Sequence, residues 1–143
     1  MDKLLWIPAL FIFLELTNVV ALYAVPGTKR ANAVGVFRAW ERSKADPELH
    51  AFVRYLVYWV AGTKLIFLGL LALILWAGSP ELQRMALVVL IAAISTFYVR
   101  LFPLIRQMDA RGEIEPAGYS KTLAGLIAVF MLLLGAAAYF LGT

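Results

Sequence analysis

The chain has 143 residues, of which 63% are hydrophobic and 15% are charged, and its formal net charge is +4. Soluble globular domains are about 45–50% apolar and about 25% charged, and disordered chains lack apolar surface, so the composition excludes both classes. The absence of cysteine excludes disulfides, thiolate metal sites and cysteine nucleophiles.

Four apolar segments are each long enough to cross a bilayer, which takes about 20 residues. They predict an all-α, polytopic integral membrane protein with its helices in an antiparallel up-down bundle. The single domain spans residues 1–143, with helices at about 4–25, 47–77, 80–106 and 117–142. The second and third helices begin at Asp46–Glu48 and Ser79–Glu81, where a capping side chain precedes proline and an acid.

The first apolar segment is expected to be a retained helix and not a cleaved signal peptide. It is longer than a signal core of about 7–15 residues, and Glu15 and Asn18 interrupt it. In the loop that follows, Ala33, Phe37 and Trp40 recur at helical spacing. They fit either a short interfacial helix with Trp40 at headgroup depth or a solvated connector. We favour the connector, because the stretch is short and contains Gly35.

Basic residues are concentrated in the loops at 26–54 and 106–121, while the opposite side has only Lys3 and Arg84. Lysine and arginine mark the cytoplasmic side, so both loops are expected there and both termini outside. A multi-pass protein of the cell membrane follows, and a bacterial inner membrane is the simplest host. We expect the bilayer and its anionic lipid headgroups as partners, and no nucleic acid. The arginines expected to contact headgroups or phosphate are Arg38, Arg42, Arg100 and Arg106.

Glu15 and Lys64 are charged residues inside the first and second apolar segments, where a charge costs about 2.5–3.5 kcal/mol. Glu15 lies roughly 16 Å from Leu4, and Lys64 roughly 14 Å from Tyr55, at about 1.5 Å per residue. In a hydrocarbon core about 30 Å thick, both reach the midplane from opposite sides. Because sequential helices are usually neighbours, we predict that Glu15 and Lys64 pair.

Other polar residues are expected at a similar depth, and together they predict a layer inside the bundle. The layer comprises Glu15, Asn18, Thr63, Lys64, Ser95 and Thr96. It could hold the helices in register, or it could serve as a proton relay or as a site for a small ion or a polar headgroup. We favour the structural role, because no second acid completes a relay.

No residue set indicates catalysis. His50 is the only histidine, and we expect it to be an exposed interfacial residue. Ser43 and Ser120 lack a nearby His and Asp in sequence, and no glycine-rich phosphate loop is present. We therefore expect no catalytic residue, no metal site and no cofactor.

Three classes of function remain, in the order in which we favour them. The first is a non-catalytic subunit or accessory protein, alone as a homo-oligomer or within a larger membrane complex. The second is an oligomeric transporter or channel that uses the Glu15–Lys64 pair. The third is an enzyme that acts on a lipid or thiol substrate at the inner leaflet.

The enzyme class is suggested by topology alone. Four helices with both termini outside and a long basic first loop make the chain broadly similar to the membrane family of eicosanoid and glutathione metabolism. That family has an arginine, asparagine and glutamate signature at the start of its second helix. The corresponding stretch, residues 50–58, contains Arg54 but neither of the other two residues.

Overall fold

The computed structural model describes residues 4–30 and 33–141. The structure is 82% helix, with no strand in the part that it describes. The helices are α1 (Trp6–Ala24), α2 (Arg38–Ser43), α3 (Pro47–Ala77), α4 (Pro80–Ser95), α5 (Phe97–Ala110) and α6 (Tyr119–Phe140), with a 3₁₀ turn at Val34–Val36. In this described part, α1, α3, α4 with α5, and α6 give four segments long and apolar enough to cross a membrane. The chain therefore has the helices of a multi-pass membrane protein.

The starts of α3 and α4 lie where the capping signals predicted them. The Asp46 carboxylate accepts hydrogen bonds from the backbone N–H groups of Glu48 and Leu49. The Ser79 hydroxyl oxygen accepts one from the N–H of Leu82. Each cap is followed by a proline at the first helical position, where its missing N–H leaves no hydrogen bond unmade.

The third predicted helix is divided into two. It breaks at Thr96, and α5 continues to Ala110, four residues beyond the predicted end. The hydroxyls of Ser95 and Thr96 donate to the carbonyls of Ala92 and Ala93, at 2.7 and 2.6 Å. Such bonds from serine and threonine to the preceding turn often bend helices, which accounts for a break here.

The main apolar core lies where α1 packs along α3 and where α6 packs along α4. Leu68, Leu87 and Leu134 are among its largest fully buried side chains. By contrast, α3 and α4 share few contacts although a tight turn joins them. An apolar groove of about 730 Å³ separates them. Its lining includes Phe67, Leu70, Ile74, Leu82, Met85 and Val89.

The long loop between α1 and α3 is folded, and it packs against the loop between α5 and α6. The expectation of a solvated connector is therefore wrong. We call residues 26–30, 33–46 and 111–118 the docked loops. The N–H of Arg38 donates to the carbonyl of Glu113 at 2.9 Å, and the N–H of Glu115 donates to the carbonyl of Val36 at 2.8 Å. A small apolar cluster that includes Val36 and Ile114 closes the contact.

Two features of the first loop explain why it folds. A Cβ on Gly35 would lie 2.0 Å from the carbonyl oxygen of Gly27, so the close approach of the two backbone segments requires glycine. Trp40 is buried, with its ring centroid 4.8 Å from that of His50. Trp40 is therefore a packing residue of α2.

Candidate functional site

Glu15 and Lys64 are in direct contact between α1 and α3. The Lys64 Nζ donates to Glu15 Oε2 at 2.6 Å. The side chains of Glu15 and Lys64 are 26% and 22% exposed, respectively, so the pair is mostly enclosed. The structure thus brings together the two charges that the sequence places in these segments.

The seam around the pair is closely packed. The rings of Tyr23 and Tyr58 stack with centroids 5.8 Å apart. Because Tyr23 follows Glu15 while Tyr58 precedes Lys64, the two helices run in opposite directions along this seam. A Cβ on Gly62 would lie 3.2 Å from the Tyr23 hydroxyl, which shows how close α1 comes to α3.

The three hydroxyls of the predicted polar layer bond within their own helices. Asn18 is buried one turn after Glu15. The Thr63 hydroxyl donates to the carbonyl of Val60 at 2.9 Å, and Ser95 and Thr96 use their hydroxyls in the same way within α4. Hydroxyls satisfied on their own helix need no partner across the bundle. The layer of six residues therefore stays a prediction, and the contact that the structure gives within it is the one between Glu15 and Lys64.

Polar side chains continue from the pair in one direction only. Arg54 donates from Nη2 to the Tyr58 hydroxyl at 2.9 Å, and its guanidinium carbon lies 5.5 Å from the centre of that ring. In the other direction, residues 4–14, which include the start of α1, and residues 65–77 of α3 contain no charged, amide or hydroxyl side chain. The seam is thus polar toward the docked loops and apolar toward the opposite end.

The four arginines expected at headgroups occupy two different environments. Arg38 pairs with Glu115, its Nη2 lying 3.1 Å from Oε1, and Arg42 lines the same pocket of the docked loops. Arg100 and Arg106 are exposed on α5. Sequence reasoning missed Glu115, because its partners are 77 and 86 residues away.

Glu115 has a second basic partner, because Lys29 Nζ lies 2.6 Å from its Oε2. The bonds from Lys29 and Arg38 hold the pKa of the Glu115 carboxyl below its ordinary value. Glu115 is therefore ionised at neutral pH, and its carboxylate links the two docked loops.

Ser43 has a histidine beside it, contrary to the expectation from sequence. Its Oγ lies 2.8 Å from His50 Nδ1 and donates to the Trp40 carbonyl at 2.7 Å. The donor in the contact between Oγ and Nδ1 depends on the histidine tautomer. A nucleophilic serine needs the histidine to accept its proton, and here the Trp40 carbonyl competes for that proton. His50 is half-buried in this contact, so the expectation of an exposed residue is wrong.

Ser120 has an aspartate beside it, again contrary to the expectation from sequence. Its hydroxyl donates to Asp109 Oδ2 at 2.6 Å, and the Asp109 carboxylate also accepts from the N–H groups of Gly118 and Ser120. These N–H groups lie at the start of α6 and have no acceptor within the helix. The serine and aspartate therefore fix the start of α6.

No family model matches this chain, and no curated protein or solved structure matches it either.

Proposed function

We propose that the chain is a non-catalytic accessory or scaffold subunit of a cytoplasmic membrane, most simply a bacterial inner membrane. In this proposal the helices form an up-down bundle with both termini outside and the docked loops in the cytoplasm. The Glu15–Lys64 pair holds α1 against α3. The observation that carries the proposal is the position of this pair, in a seam that is polar on one side only.

The structural role of the pair follows from its surroundings. An unpaired charge at the centre of a membrane helix costs about 2.5–3.5 kcal/mol, and contact at 2.6 Å removes the net charge. The apolar stretches 4–14 and 65–77 offer no group to receive a proton or an ion beyond the pair. The described seam between α1 and α3 therefore continues past the pair without polar side chains, which supports a structural role.

The exposed part of the pair supports the role as a subunit. About a quarter of each charged side chain is exposed. Ionisable groups inside membranes almost always face protein or water and avoid lipid tails. A helix from a second copy or from a larger membrane complex, packed over this seam, would complete the enclosure.

Transport is the second candidate, and the polar residues on the loop side favour it. Arg54, Tyr58 and Tyr23 lead from the docked loops toward the pair. An oligomer could supply the missing polar groups in the other half of the membrane. A lipid or thiol enzyme ranks third, because Arg54 engages its own helix through Tyr58.

A flux assay separates the first two candidates. The purified chain is reconstituted into liposomes that contain a pH-sensitive dye, and a potassium gradient with valinomycin drives protons. We expect no proton flux above that of empty liposomes. We also expect the variant with both Glu15→Met and Lys64→Met to remain folded by circular dichroism. Flux in the wild type that disappears in this folded variant would establish transport instead.

A further inference from the structure

We propose that the docked loops form a binding site for a phosphate group at the cytoplasmic face, and that the Glu115 carboxylate occupies this site until phosphate displaces it. The phosphate could belong to an inner-leaflet lipid or to a soluble phosphate compound, and both present the same chemistry. The site lies outside the membrane helices, so it does not depend on the role of the Glu15–Lys64 pair.

The site is a pocket of about 560 Å³ between the two docked loops. Its walls combine four cations with three carboxylates, two glycines and two apolar side chains. The lining residues are Lys29, Gly35, Val36, Phe37, Arg38, Glu41, Arg42, Arg111, Gly112, Glu113 and Glu115. Lysine and arginine are the side chains that bind phosphate most strongly in proteins.

The charges in the pocket leave a positive surplus. Glu41 is paired with Lys44, which lies outside the pocket, at 2.7 Å. The four cations of the pocket are therefore balanced only by Glu113 and Glu115, and two positive charges remain. A phosphate monoester carries about −1.5 to −2 charges at pH 7, which matches this surplus.

An oxyanion already occupies the two best-placed cations. One oxygen of Glu115 accepts from Lys29 at 2.6 Å, while the other accepts from both Nη2 and Nε of Arg38, at 3.1 and 3.3 Å. Phosphate oxygens accept charge-assisted hydrogen bonds from the same two kinds of donor, and a phosphate could also take the two arginine N–H groups on separate oxygens. The Lys29 and Arg38 side chains are both 60% exposed, so an incoming anion can reach them.

Further donors remain for a larger anion. An ammonium has three N–H donors and a guanidinium five, and Glu115 uses only one of Lys29 and two of Arg38. Within the described ranges, Arg42 lines the pocket without an ion pair. Arg111 has only a long contact of 3.9 Å with Glu113. Phosphate has more acceptor positions than a carboxylate and can use these additional groups.

The backbone beneath the pocket is fixed before any ligand binds. Arg38 N–H is bonded to the Glu113 carbonyl, and Phe37 forms an isolated antiparallel bridge with Ile114. Gly35 packs directly on the backbone of Gly27. A site whose donors are already in place loses little conformational entropy on binding.

The experiment measures phosphate binding to the full chain in phosphatidylcholine nanodiscs. One arm titrates inorganic phosphate, and the other adds phosphatidic acid to the nanodisc lipid. Binding is followed by ³¹P NMR line broadening in both arms. Saturation in the first arm identifies a soluble phosphate as the ligand source, whereas saturation confined to the second identifies a lipid headgroup.

The variants test the named residues. We expect Arg38→Gln to weaken binding about tenfold or more, which corresponds to one charge-assisted contact. Arg42→Gln should weaken it as well, and this variant leaves every ion pair of the docked loops in place. Arg84→Gln is the matched control, because it removes the same charge from an exposed position on α4, outside the pocket, and it should change affinity less than twofold.

Glu115→Gln is the decisive variant. It removes the competing charge while keeping the side-chain shape, so phosphate affinity should rise severalfold. Weaker or unchanged binding in Glu115→Gln would overturn the role of Glu115. Equal losses in Arg42→Gln and Arg84→Gln would overturn the site itself, since general surface charge would then explain the binding.

Discussion

Glu15 and Lys64 are 49 residues apart in the chain, and their charged atoms are 2.6 Å apart between α1 and α3. Each is enclosed for about three quarters of its side chain. Each residue therefore stabilises the other, because removing one would leave the charge of its partner unpaired between α1 and α3.

The first prediction is that Glu15→Met alone and Lys64→Met alone each lower the free energy of unfolding much more than the two substitutions together. Lys64→Met should destabilise the protein by about 2.5–3.5 kcal/mol, because it leaves Glu15 unpaired. Glu15→Met with Lys64→Met should recover most of that loss. Unfolding in a mixed-detergent titration measures the difference. Leu65→Met is the matched control on the neighbouring exposed position. Additive losses in the double variant would contradict a structural pair.

The second prediction concerns Gly35. Alanine there would bring a Cβ within 2.0 Å of the Gly27 carbonyl oxygen, and overpacking of this kind costs about 1–3 kcal/mol. We expect Gly35→Ala to separate the docked loops and to speed trypsin cleavage after Arg38 and Arg42. Gly125→Ala is the control, because a Cβ there meets nothing within 4 Å. Equal cleavage rates for the two variants would show that the close approach is unimportant.

The third prediction concerns Gln83, whose amide nitrogen donates to the carbonyls of Leu75 and Gly78 at 2.9 and 3.2 Å. These bonds close the turn between α3 and α4 and satisfy carbonyls at the end of α3. Gln83→Leu should destabilise the protein by about 1–3 kcal/mol, measured by the same detergent titration. Glu81→Gln, in the same helical turn but exposed, should have a small effect. Comparable losses would mean that the buried amide contributes nothing specific.

The fourth prediction is that the stability of the folded chain depends on pH through the Glu115 carboxyl. Its pKa in the folded chain is lowered by Lys29 and Arg38, so its ion pairs contribute stability above the pKa of the unfolded chain. That contribution is lost as the pH falls from the ordinary carboxyl range through the lowered folded value. The difference in melting temperature between wild type and Glu115→Gln should be positive at pH 7 and vanish in acid. A difference that does not change with pH would exclude this role.

The fifth prediction tests the proposed orientation, and the absence of cysteine makes it direct. Ala39→Cys and Ser79→Cys place a single thiol on the docked loops and on the α3–α4 turn, both at exposed positions. In sealed right-side-out vesicles, a membrane-impermeant maleimide should label Ser79→Cys immediately and Ala39→Cys only after lysis. The opposite order would reverse the proposed topology.

The sequence alone was sufficient to predict the four apolar segments and the starts of α3 and α4. Apolar length and the caps at Asp46 and Ser79 are local signals, and the contact of Glu15 with Lys64 follows from counting depth in two neighbouring helices. The break at Thr96 was not predicted, because hydroxyls that bond to the preceding turn leave no trace in the apolar pattern.

The docked loops could not be predicted for a different reason. Their contacts join residues far apart in sequence, such as Phe37 with Ile114 and Lys29 with Glu115. The basic residues of these loops were used only to predict which side of the membrane the loops occupy, and that prediction does not require knowing their contacts. Thr63 was placed in the polar layer by depth alone, although depth does not say which way a helix face points.

The unequal lengths of the helices have a mechanical consequence. At about 1.5 Å per residue, α1 with 19 residues measures about 28 Å and α3 with 31 residues about 46 Å. The hydrocarbon layer is about 30 Å thick, so α1 fits it and α3 overshoots it by roughly half its thickness. In a thicker bilayer a longer part of α3 would lie within the hydrocarbon layer, and in a thinner bilayer a shorter part would. The height of the docked loops above the lipid surface would then vary with the membrane in which the protein resides.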